Sequence, residues 1–286
     1  MSQISLQKQE VFNMKKNLFW SALLLFVNFN IANAAVLNVN ADDGTACLAS
    51  GTMMTAGGGC RATPSKYEMI IYEMGVCTKD PFANGTNVTM DKTSCSIVFI
   101  NPNGFTNDYA ASIGSNVEMK GTSTKPKNGI YKYPYVVLST RFVIEGKFTN
   151  GSTTYYSNGQ AVTTSAGSAS ELTDDLLNFG DSKCYSGYLN GQLDVGTISA
   201  FLTNDGLTRA DENDYTNPSC TGVTRIVGMM NLNAPFTISD KTVSFQYSFV
   251  LTDFGIEFFD DSGSDSVPDA FGSGPFSGKF TIIDSE

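Results

Sequence analysis

KYEMIIYEMGV, residues 66–76, decides the fold. Tyr67, Met69 and Ile71 alternate with Glu68, Ile70 and Tyr72, a period-2 pattern carried by β-branched and aromatic side chains, as in a strand with one face on a core. The same texture continues outward. CSIVFI (95–100) is a more fully buried run, stopped by the turn chemistry of Asn101-Pro102-Asn103-Gly104. IYKYPYVVLSTRFVIEGKF (130–148) carries two strands, with Tyr131, Tyr133 and Tyr135 spaced to share a face. Pro134 within it argues for an edge strand or a bulge, because proline cannot donate to a ladder. Toward the C-terminus TRIVGMMNLN, APFTISD, KTVSFQYSFVLTDFGIEFF and FSGKFTIID alternate with Gly, Asn, Asp and Ser breaks. The pattern predicts an all-β protein, an antiparallel sandwich or jelly-roll-like domain.

One helix interrupts this expectation. Ser168-Ala-Ser-Glu171 matches a capping box, Leu172, Leu176 and Phe179 follow at helical spacing, and Gly180 stands where a left-handed cap would close it. The spacing predicts a short amphipathic helix near 169–179. The Gly/Ser/Thr/Asn-rich stretch before it, 149–170, reads as a hairpin with long polar turns.

The start of the chain sets the compartment. Lys15 and Lys16 precede an apolar run from Leu18 to Val27, and the triplet Ala32-Asn33-Ala34 follows. That is the order of a secretory leader cleaved after Ala34, and the run is about half of the roughly twenty residues a membrane-spanning helix needs. Met14 is an alternative start, since residues 1–13 make an odd preface to a charged leader. On this reading residues 1–34 are targeting and residues 35–286 form a single secreted β domain with a cysteine-rich N-terminal part, 35–100. The only tryptophan, Trp20, leaves with the leader.

Six cysteines, Cys47, Cys60, Cys77, Cys95, Cys184 and Cys220, survive that cleavage, and their even number in an oxidising compartment predicts three disulfides. Pairing of near neighbours gives Cys47 with Cys60, Cys77 with Cys95 and Cys184 with Cys220, each bridge contributing roughly 2–4 kcal/mol by restricting the unfolded chain. Loss of Lys8, Lys15, Lys16 and Glu10 changes 18 basic and 28 acidic residues to 15 and 27, a net charge of −12. A field of that sign, with no basic patch carrying interleaved aromatics, argues against nucleic acid as a partner.

The chain has no histidine, which excludes Ser-His-Asp and Cys-His catalysis and imidazole metal ligation. There is no G-x-S-x-G elbow and no phosphate-binding glycine loop. Paired carboxylates are the chemistry that remains, as in a glycosidase: Glu257, Asp260 and Asp261 lie beside Phe254, Phe258 and Phe259, and Glu212 and Asp214 precede Tyr215. Calcium is the ion that suits the acidic loops, DDSGSDSVPD with Asp260, Asp261, Asp265 and Asp269, and 202–215 with Asp205, Asp211, Glu212 and Asp214. Neither loop has EF-hand spacing. N-glycosylation sequons stand at Asn84, Asn87 and Asn150.

The expectation is an extracellular or cell-surface structural or adhesive subunit, not an enzyme, whose partners are other protein subunits or surface glycans. A carbohydrate-binding or carboxylate-dependent glycan-processing protein is the alternative. An outer-membrane β-barrel is a second, opposed by the irregular stretches 35–65 and 101–129.

Overall fold

The computed structural model describes residues 9–14, 54–83, 88–177, 189–193, 195–210, 220–274 and 277–285. They form an all-β protein of mostly antiparallel sheets.

The stretch 66–76 is the axis of the largest sheet, which has nine strands. The strand Lys66–Cys77 pairs along its length with Cys95–Asp108. On its other side it meets Arg141–Glu145 and then Tyr133–Ser139, two strands in succession that turn away from each other at Thr140. Tyr133–Ser139 leads on to Arg225–Leu232, Gly196–Thr203 and Leu189–Leu193, and Arg141–Glu145 leads to Leu172–Asp175.

A bulge at Tyr72 shifts the register of the axial strand against both neighbours between Ile71 and Glu73. An extra residue in one strand reverses which alternate side chains face a given side. Tyr67, Met69 and Ile71 therefore enter the main core before the bulge, and Met74 and Val76 enter it afterwards. Cys77 is turned to the opposite face, where a second cluster gathers Phe82, Met90, Tyr135, Val137, Phe201, Leu207, Val227 and Met229. Both faces of the sheet are thus covered.

A four-stranded sheet lies against the main core, in the order Ser277–Asp284, Thr242–Val250, Gln9–Met14, Asn116–Glu118. Its strand Thr242–Val250 buries Phe245, Tyr247 and Phe249, and Phe249 meets Tyr109 with ring centroids 5.9 Å apart. Gln9–Met14, grouped with the leader by sequence, is a strand of this layer, antiparallel to Thr242–Val250 and parallel to Asn116–Glu118. A smaller sheet of Gly59–Ala62, Ile256–Phe259 and Ala270–Ser273 extends the core through Phe258, Phe271 and Phe148. The hairpin expected over 149–170 is present, with Lys147–Asn150, Thr153–Ser157 and Thr163–Thr164 as its strands.

Three expectations need correction. No α-helix occurs among the described residues, and Leu172–Asp175 is a strand paired with Arg141–Glu145. Leu172 is drawn into the core opposite Ile144, and Glu171, the residue that would have closed the capping box, instead holds Lys66 at 2.7 Å. Phe179 and Gly180 lie outside the described residues. Pro134 does not mark an edge, since its strand is interior. It stands near the strand's start, one residue before the first pair with Arg225–Leu232, where no donor is required of it on that side. Tyr131 joins the main core while Tyr133 and Tyr135 belong to the second cluster, so the three tyrosines do not share a face.

The Cys77–Cys95 disulfide is present and joins directly opposed residues of neighbouring strands. Cys60 and Cys220 are disulfide-bonded as well, and their expected partners Cys47 and Cys184 lie outside the described residues. There is no free cysteine among those described. Among the described residues, no helix is long and apolar enough to cross a membrane.

Candidate functional site

The bulge that turns Cys77 to the second face also places Glu73 next to Tyr135. The Tyr135 hydroxyl donates to Glu73 Oε1 at 2.6 Å, and Lys92, from the 3-10 turn Lys92–Ser94, lies 2.7 Å from the same oxygen and donates to Oε2 at 2.8 Å. Gly75 makes this possible, because a Cβ there would come within 2.5 Å of the Tyr135 ring and hydroxyl. Burial, then the Glu73 charge and hydrogen bond, push the Tyr135 phenol far above its ordinary value. The Glu73 carboxyl, the Lys92 amino group and the Tyr135 phenol satisfy one another, and the node ties the turn at Lys92 to the sheet beside the disulfide. Sequence reasoning passed over these residues. The available signal was Glu73 itself, a charge inside the apolar run 69–76.

The acids singled out in sequence have a similar fate. Asp260 is buried, and its Oδ2 accepts from the Gly57 and Ser266 amides, both at 2.8 Å. Asp269 accepts from the Asp261 and Ser262 amides at 2.8 and 2.9 Å and from the Ser262 hydroxyl. That hydroxyl, then the amides, holds its carboxyl below the ordinary carboxylate value. Asp265 accepts from the Val267 amide at 3.0 Å, while Asp261 is exposed and engaged through its backbone. The loop 260–269 is thus closed on itself by its own carboxylates. Glu257 is buried opposite the equally buried Arg61 in the pairing of Ile256–Phe259 with Gly59–Ala62. Asp205 pairs with Arg225 at 3.0 Å, and that guanidinium lies 3.7 Å from the centre of the Tyr72 ring. Asp211, Glu212 and Asp214 lie outside the described residues. No group of three or more His, Cys, Asp or Glu side chains among the described residues is arranged to hold a metal ion.

What remains is surface and edge. Ser277–Asp284 is the outermost strand of the four-stranded sheet, paired to Thr242–Val250 from Ser277↔Val250 to Thr242↔Asp284. Its outward backbone side meets no strand among the described residues. On the other side of Thr242–Val250 lies a position for one strand, two-sided because Asn116–Glu118 closes it, and Gln9–Met14 occupies it. Such positions take extended chain by backbone hydrogen bonding, with alternate side chains setting specificity. Comparison of the chain with protein families, with curated proteins and with solved structures finds no match.

Proposed function

We propose that the chain is an exported structural or adhesive subunit, located outside the cell, at its surface or in the periplasm, that works through surface contacts with other protein subunits. The observation carrying this reading is the outermost strand Ser277–Asp284, whose outer backbone edge meets no strand among the described residues. Three further features support it. The leader pattern at 14–34 directs the chain out of the cell, and the Cys77–Cys95 bridge suits an oxidising compartment. The buried acids Glu73, Asp260 and Glu257 are placed with cationic, phenolic or backbone groups of their own chain, which is the use a scaffold makes of carboxylates.

The test is the state of the exported protein. Electron microscopy of the cell surface and light scattering of the released fraction are expected to show assemblies. Introducing proline at Thr281 and Ile283 is expected to reduce assembly without releasing free thiols. A dispersed monomer that binds a glycan array would replace this reading with the carbohydrate-binding one.

A further inference from the structure

The net charge of −10 is unevenly spread along the chain. Residues 119–144 carry Lys120, Lys125, Lys127, Lys132 and Arg141 and no acid, while 260–269 carries Asp260, Asp261, Asp265 and Asp269 and no base. Each stretch also presents an exposed aliphatic side chain. In the two-stranded sheet of Gly129–Tyr131 and Phe236–Ile238, Tyr131 turns inward with its ring 6.1 Å from Phe236. Ile130 therefore faces out on the other side of the strand, 63% exposed and opposite the exposed Thr237.

Hydrogen bonds gather lysines around this face. The Tyr131 hydroxyl donates to the Lys127 carbonyl at 2.9 Å, Lys125 Nζ to the Asp240 carbonyl at 3.2 Å, and Asn128 Nδ2 to Asp240 Oδ1 at 2.8 Å. Segment 125–128 is thereby held against the turn that carries Lys241, and Lys127 and Lys241 are both exposed. Asp240 is the acid within the group, and Asn128 engages one of its oxygens. The face borders the edge strand Ser277–Asp284, because the Ser285 amide donates to the Lys241 carbonyl at 2.7 Å.

The acidic loop is its complement. Asp261 and Asp265 are exposed, and Val267 beside them is 37% exposed. Asp260 and Asp269 hold the loop's shape through its own amides, so docking it orders little further chain. None of the ion pairs among the described residues involves the loop.

The two surfaces lie at opposite ends of the axial strand Lys66–Cys77. The Lys132 amide donates to the Cys77 carbonyl at 3.0 Å, which fixes the lysine face at the Cys77 end. Arg141–Glu145 runs toward Lys66, Lys147–Asn150 continues beyond it, and Asn150 Nδ2 donates to the Ser266 carbonyl of the loop. Twelve strand residues span roughly 35 Å, so one molecule cannot bring its own loop to its own lysines.

We propose that the lysine-ringed face around Ile130 receives the loop 260–269 of a second copy of this chain, Asp261 and Asp265 meeting Lys127 and Lys241 while Val267 covers Ile130. The contact joins two different surfaces, so it is head-to-tail and propagates into a ring or a filament. The charges set which surfaces meet and make the association sensitive to salt.

The inference rests on the subunit reading, and the experiment separates the two. The released exported protein is followed by sedimentation velocity and light scattering over a range of concentration. Lys127→Glu with Lys241→Glu reverses the face, and Asp261→Lys with Asp265→Lys reverses the loop. Either pair alone is expected to raise the concentration at which assemblies form by about tenfold or more. An equimolar mixture of the two is expected to bring it back, because each face then meets a loop of opposite sign. Circular dichroism melts establish that both are folded. If the reversed loop is not, Asp261→Asn with Asp265→Asn, which keeps an acceptor for the Val267 amide, replaces it and is expected to weaken assembly in the same direction. Unsubstituted protein that stays monomeric overturns the subunit reading and this inference together. Unweakened assembly in the face and loop variants overturns this inference alone, as does a loss in both reversed variants that mixing does not restore.

Discussion

At the scale of single residues, the bulge at Tyr72 has the largest consequence, because it places Glu73 where Tyr135 and Lys92 can reach it. The three partners are not equal. Lys92 keeps about a third of its side chain in water, so it can be resolvated if Glu73 is lost, whereas the buried Tyr135 hydroxyl cannot. Glu73→Ala should therefore cost about 2–4 kcal/mol, and Tyr135→Phe, which leaves Glu73 paired with Lys92, about 1 kcal/mol. Urea unfolding of the two single variants and the double variant checks this, the double being expected to cost less than the sum. A second residue-scale prediction concerns the sequon at Asn150. Its Oδ1 accepts from the Met54 amide at 2.9 Å and its Nδ2 donates to the Ser266 carbonyl at 2.6 Å, with 9% of the residue exposed. The nitrogen a glycan would need is committed to holding the 260–269 loop. Peptide mass mapping of protein from a glycosylating host should find Asn150 unmodified, and Asn150→Ala should destabilise by about 1–3 kcal/mol.

At the scale of elements, the C-terminal strand Ser277–Asp284 pairs within its own chain. Phe280 stands opposite Tyr247 and Ile282 opposite Phe245, and the Phe280 ring lies 5.5 Å from Phe236 and 5.8 Å from Phe245. Both side chains are partly buried, which corresponds to about 2–4 kcal/mol between them. Truncation after Gly274 should lower the melting temperature by several degrees, and an unchanged melt would show that the strand contributes nothing to the fold. Alternation made such strands legible, since Phe280/Ile282 and Tyr67/Met69/Ile71 carry their core face in their spacing. The 172–175 strand was not legible. A capping box is four residues of common types, and the pairing of Leu172 with Ile144 that overrides it depends on a strand nearly thirty residues earlier in the chain. The phase change at Tyr72 was hidden for the same reason, because a bulge is defined by the partner strand. Of the polar node, Glu73 was visible as a charge in an apolar run. Lys92 and Tyr135 become its partners only once the sheet is assembled.

At the scale of the whole molecule, three buried phenols couple the fold to alkaline pH. Burial raises Tyr67, burial and the charge of Glu73 raise Tyr135, and burial raises Tyr247, each well above the ordinary value of 10.0. They sit at separate places: in the axial strand, on the second face and in the opposing layer. An acid whose folded pKa is raised holds its proton in the folded state after the unfolded chain has released it. Their contribution is therefore intact below about pH 10, the unfolded value, and is lost as pH rises above it. Unfolding should begin above that pH, with phenolate absorbance from these residues appearing in the same step as the loss of far-ultraviolet circular dichroism. The net charge of −10 at neutral pH offers a competing cause, because self-repulsion grows as lysines lose their protons. Salt separates the two: a Debye length of about 3 Å at 1 M removes long-range repulsion but leaves the protonation of a buried phenol untouched. The alkaline midpoint should move little between low and high salt, and it should rise in Tyr247→Phe measured relative to its own stability at pH 8. A midpoint that shifts strongly with salt and is indifferent to that substitution would assign the transition to surface charge instead of the core.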